Sequence, residues 1–141
     1  MIEIINRQRK RTLNTKRWRQ CAERVLKTVG RDGRDATIAF VSDAAIRKLN
    51  HEFRGKDYAT DVLSFPVEPE PFEKDGNSQI GEIVISLDRA AIQARENGIR
   101  LTNEVEQLIL HGLLHLCGYD HETDNGEMDR LELKMRRKLS I

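Results

Sequence analysis

The chain has 141 residues, a third of them charged, with a mean hydropathy of −0.60 and a formal net charge of +1. That length fits one compact domain over residues 1–141 with a real core, and no apolar run approaches the roughly 20 residues that cross a bilayer. Two distant cysteines, Cys21 and Cys117, exclude a disulfide framework, and the amino terminus turns basic only after Met1–Asn6, the wrong order for a secretory signal, so a cytoplasmic protein is expected.

Ile2 to Ile5 reads as a short strand. Leu13, Trp18, Cys21, Ala22, Val25, Leu26 and Val29 then keep the spacing of an amphipathic helix, stopped by Gly30. Its polar face holds Lys16, Arg17 and Arg24, within a stretch from Met1 to Arg24 where eight cationic residues stand against Glu3 and Glu23. Such a face either attracts phosphodiester backbones or is simply solvated. Ala36 to Val41 is a buried strand by composition. Asp43 is placed to cap the next helix, carried by Ile46, Leu49 and Phe53 and ended by Gly55. Val62 to Phe65 is a third strand, halted by Pro66. The acidic loop of about a dozen residues that follows holds all three prolines, and a loop of that length is expected to be functional or mobile.

Ile80 to Ile85 is the fourth strand, and Asp88 to Asn97 a short helix closed by Gly98. A longer helix opens at Thr102 or Asn103, with Asn103 and Glu106 spaced as a capping box. It is apolar nearly all round, which predicts a rigid interior element. Asp124 and Glu127 precede a last helix that buries Met128, Leu131 and Met135. These elements predict an α+β fold: a four-stranded mixed, mostly parallel sheet with about five helices, one of them central and buried and carrying the metal ligands as in zincins.

The chemistry is concentrated in the eleven residues HGLLHLCGYDH, which contain three of the four histidines. His111 and His115 are four apart and share one helix face. Gly118 lets the helix stop, so that the chain turns back and delivers His121 to the same point. This is the metzincin spacing without its glutamate. Three imidazoles suit zinc, with nickel or another divalent ion as the alternative, and leave an open coordination position. Cys117 is the weaker candidate for a fourth ligand, and His51 reads as surface. Histidines on an interior helix need partners, and a cation supplies them.

The string HGLLHLCGYDH resembles the hallmark of the YbeY family of bacterial metal-dependent endoribonucleases. Leu49-Asn50 and Arg54, then Thr60–Pro66 (TDVLSFP) and Gly81–Ser86 (GEIVIS), follow in the family's order. Glu82 departs from it, since aspartate is expected there. The resemblance implies a single-strand-specific endoribonuclease in ribosomal RNA maturation, at the small-subunit 3′ end, and in ribosome quality control. It also implies ribosomal RNA and ribosomal particles as partners, and a phosphate-binding, catalytic role for Arg54. By its position alone Arg54 is a helix-end residue serving Asp57 or Asp61. Asp120 and Asp61 are each either carboxylates supporting the site or turn caps.

Two other functions remain open from the sequence. A zincin-like metallopeptidase is disfavoured because Gly112 stands where the glutamate base would be. A ribosome-associated RNA-binding module with a structural metal predicts binding without turnover.

Overall fold

The computed structural model describes residues 1–67 and 79–141. In chain order they form β1 (Ile2–Arg7), α1 (Thr15–Thr28), β2 (Asp35–Val41), α2 (Asp43–Arg54), β3 (Val62–Pro66), β4 (Gln79–Ser86), α3 (Leu87–Asn97), α4 (Leu101–Leu116) and α5 (Glu127–Leu139). The sheet runs in the order β1-β2-β4-β3. β1 and β4 pair with β2 in parallel, and β3 closes one edge antiparallel to β4, with Leu63 opposite Val84. The mixed, mostly parallel sheet and the five helices are those expected.

Strand alternation divides the core. Ile38, Phe40, Ile83 and Ile85 point to one face and join residues of α1, α3, α4 and α5 in the larger cluster. Ala39, Val41 and Val84 point the other way, with Leu63 and with Ile46 of α2. Trp18 binds α1 into this core: its ring stacks on Phe40 at 5.0 Å, and its indole N–H donates to the Thr102 carbonyl at 3.3 Å.

α4 runs through the middle of the larger cluster. Ile109, Leu110, Leu113 and Leu114 are fully buried, so the helix is enclosed on every side except the one carrying histidines. Full burial of a leucine side chain stabilises by about 1.5–3 kcal/mol, so this rod is among the best-anchored parts of the chain. Gly112 presses it against β4, where an added Cβ would lie 2.9–3.0 Å from the Ile83 side chain.

Three expectations need correction or qualification. α2 is capped by Ser42, whose Oγ accepts from the Ala45 N–H at 3.1 Å; the Asp43 carboxylate instead accepts from the Ser86 hydroxyl and the Arg89 guanidinium. α4 has no side-chain cap and begins at Leu101 after Arg100. Its Glu106 turns inward, because Arg17 of α1 holds that carboxylate at 2.7 Å. The long loop after Pro66, with its acidic run from Glu68 to Asp75, falls largely outside the described residues.

Candidate metal centre

The site begins where α4 stops. Gly118 takes φ +99°; its N–H donates to the His115 carbonyl, and the Tyr119 N–H reaches back to the Leu114 carbonyl at 3.1 Å. This paired closure is a Schellman motif, and it satisfies two of the carbonyls that a helix end leaves open. The chain beyond it turns over the end of α4. The Asp120 side chain accepts from the Glu122 N–H at 3.0 Å, tightening the bend that carries His121.

His111, His115 and His121 therefore converge, with ring centroids 4.7, 5.4 and 5.1 Å apart and one ligand nitrogen from each within 4.8 Å of the others. The Nε2 atoms of His111 and His115 lie 3.2 Å apart. Nitrogens on a tetrahedral ion at roughly 2.0–2.1 Å stand roughly 3.3–3.4 Å from one another, so this pair is already close to ligand geometry.

The tautomer also fits. The His111 Nδ1 faces both carboxylate oxygens of Glu132 in α5, at 3.2 and 3.3 Å. With the proton on Nδ1 donated to that carboxylate, the Nε2 lone pair is left free to face its neighbours. Burial works to raise the Glu132 pKa, yet the hydrogen bond from His111, together with the Arg136 guanidinium, holds it below the usual carboxylate range. Burial, then the His111 and His121 rings, pushes the His115 pKa down, which keeps this imidazole neutral and able to ligate. The donor set and its geometry suit a divalent cation. Cys117 stands apart from the trio, and burial raises its thiol pKa.

The trio lies in a cleft of about 610 Å³ bordered by α2, by β3 and by the bend after α4. Arg54 is on its wall. The turn that presents Arg54 is fixed locally: Gly55 takes the left-handed conformation, and the buried Asn50 donates to the Tyr58 carbonyl at 2.9 Å. Among the described residues, the acid paired with the Arg54 guanidinium is Glu122, at 3.7 Å. The partners foreseen for it are engaged elsewhere, Asp57 with Arg47 and Asp61 with the Val62 N–H. Gly112 lies on the sheet side of α4, so its position offers no base and no room for one.

Known proteins resemble this chain over nearly its full length. The profile of the family described as Endoribonuclease YbeY matches residues 3–140. The chain belongs to the YbeY endoribonuclease family. Among its relatives, the Endoribonuclease YbeY of Solibacter usitatus is 47% identical over 120 residues, covering 85% of this chain and 76% of that one. That of Geobacter metallireducens is 36% identical over 141 residues, covering 99% and 94%. The solution structure of TM1509 from Thermotoga maritima superposes with a TM-score of 0.62 at 31% identity, over 95% of this chain and 85% of that one.

Against that YbeY framework, the structure brings Arg54 and all three histidines into one cleft. His51 lies exposed on α2, outside it. Asp120 serves the bend rather than an imidazole. The residue that sequence reasoning missed is Glu132. Its signal was present: an acid on the stripe Met128, Glu132, Met135, Leu139, at buried helical spacing.

Proposed function

We propose that this chain acts, as one hydrolase domain, as a metal-dependent endoribonuclease on single-stranded RNA. The single observation that carries this reading is the convergence of three imidazoles in a cleft that Arg54 also lines. Membership of the YbeY family adds the reaction class. When bound, a divalent ion (zinc first, nickel as an alternative) supplies Lewis acidity toward a phosphoryl oxygen and a nucleophile near neutral pH.

The protein's own groups do the rest. His111 and His115, on one rigid helix, and His121, on the bend, fix where the reacting phosphate sits. Glu132 holds the His111 ring and its proton. Arg54 offers a planar fork to the phosphoryl oxygens on which negative charge builds during cleavage, a geometry that lysine does not provide. The place of action proposed is the cytoplasm, in ribosomal RNA maturation at the small-subunit 3′ end and in ribosome quality control, with ribosomal particles as partners. This cellular role rests on the resemblance of HGLLHLCGYDH and TDVLSFP to the family's motifs. No helix of the described residues is long and apolar enough to cross a membrane.

Gly112, closed in by Ile83, weighs against peptide hydrolysis by the zincin route. Purified protein should cut an unstructured RNA, and a chelator should stop it. Arg54→Ala should lower kcat by about 10²–10³, and His115→Ala should abolish turnover. Equal cleavage by wild type and both variants would mean a contaminating nuclease and would remove the assignment.

A further inference from the structure

Two aromatic rings at the cleft are more exposed than packing requires. Phe53 is 62% exposed and Tyr119 is 38% exposed, and both border the space above the three histidines. The third exposed aromatic among the described residues, Tyr58, is not part of that wall. The Phe53 ring and the Tyr119 main chain are also held in place. Phe53 sits in the last turn of α2, in edge contact with Phe65 of β3 at 5.3 Å and 73°. Tyr119 is fixed at its main chain by the hydrogen bond to Leu114 that closes α4.

The charges on the same wall argue that the rings are used. Arg54 is accompanied by Asp61, Asp120 and Glu122, with Glu122 3.7 Å from its guanidinium. A polyanion therefore gains little from the fixed charge of this cleft away from the histidines. Stacking does not depend on charge. Every nucleobase has a π face, so aromatic rings hold unpaired bases whatever their sequence. Bases within a duplex already have both faces covered and cannot use them.

We propose that Phe53 and Tyr119 form a stacking subsite for unpaired nucleobases, which holds an RNA strand with its phosphate at the histidine trio. The proposal rests on the RNA reading above and extends it: selection of single strands comes from these rings, with little sequence preference.

The test is fluorescence anisotropy with the zinc-loaded protein and a short 2′-O-methyl oligoribonucleotide. The same strand is also offered annealed to its complement, and with two adjacent bases removed. Phe53→Leu and Tyr119→Leu should each weaken binding of the unpaired strand by about five- to hundredfold. Phe53→Trp should retain it, and removing the bases should erase the difference between wild type and variants. Thermal melts of the variants confirm that they are folded. Leucine variants that bind like wild type would overturn the proposal. So would equal affinity for the duplex, no binding of the unpaired strand by wild type, or the same ring dependence with an unstructured peptide. RNA cleavage measured alongside separates the two readings. Ring-dependent binding without cleavage removes the nuclease and keeps the subsite; cleavage and binding indifferent to the rings do the reverse.

Discussion

Glu132 shows how one side chain from a distant part of the chain completes a site. It lies 21 residues beyond His111 and meets it only because α5 packs beside α4. Its carboxylate fixes the imidazole's proton and raises the basicity of the free nitrogen. Glu132→Ala should weaken zinc affinity by about 10–100-fold in a chelator competition, with Glu132→Gln in between. The pH dependence has a definite sign. The folded-state pKa is lowered from an ordinary 4.5, so the stability it confers is full above that value. It drains away as pH falls through the lower folded value, because the unfolded chain takes up the proton first. Denaturant melts of the metal-free protein should therefore fall more steeply on acidification for wild type than for Glu132→Gln. The histidines were legible in the sequence because their spacing maps directly onto one helix turn and a glycine stop. Glu132 was not, because its spacing encodes only a buried stripe, and which histidine it meets is decided by packing.

At the scale of elements, α4 and β4 hold the site through a contact that leaves no space. Gly112 lies on Ile83, and two residues earlier on β4, on the same face, an added Cβ at Gly81 (φ +147°) would come within 2.5 Å of the Phe65 carbonyl and 2.6 Å of the Leu116 side chain of α4. Gly112→Ala should destabilise by about 1–3 kcal/mol through overpacking. Ile83→Val in that background should recover part of the loss in thermal melts, since the two changes share one contact. Zinc affinity should move with them, because His111 is the neighbouring residue. Element type and order were readable from periodicity and glycine stops, as with Gly55, Gly98 and Gly118. Helix starts were less so. Ser42 and Asp43 are both good caps, and the choice between them is made by Ser86 and Arg89, far along the chain. Glu106 has the spacing of a capping box, yet a cation from α1 draws it inward.

Across the molecule, the basic run at the amino terminus finds internal uses. Arg11 pairs with Asp88, Arg17 with Glu106, and Arg19 and Arg24 donate to the Ile2 and Leu139 carbonyls. Counting charges along the sequence could not show this, because every one of those partners comes from another element. Glu106 is 4% exposed, so removing its partner leaves a buried charge. Arg17→Gln should cost toward the low end of roughly 3–5 kcal/mol, since Arg17 itself is half-exposed, and an equilibrium urea melt measures it.

The histidines themselves are unequally mounted. Two rise from the enclosed rod, while the third stands exposed on a bend tied to α2 by the 3.7 Å pair between Arg54 and Glu122 and to α5 by the Asp124 carboxylate, which accepts from the Met128 N–H at 2.9 Å. A divalent ion, when bound, would be held from the enclosed rod by His111 and His115, and His121 would be the ligand whose release leaves the hydrophobic interior undisturbed. Exchange of such an ion would then be decoupled from unfolding and set by the bend after α4 rather than by the core, so metal affinity and thermal stability should respond to separate sets of substitutions.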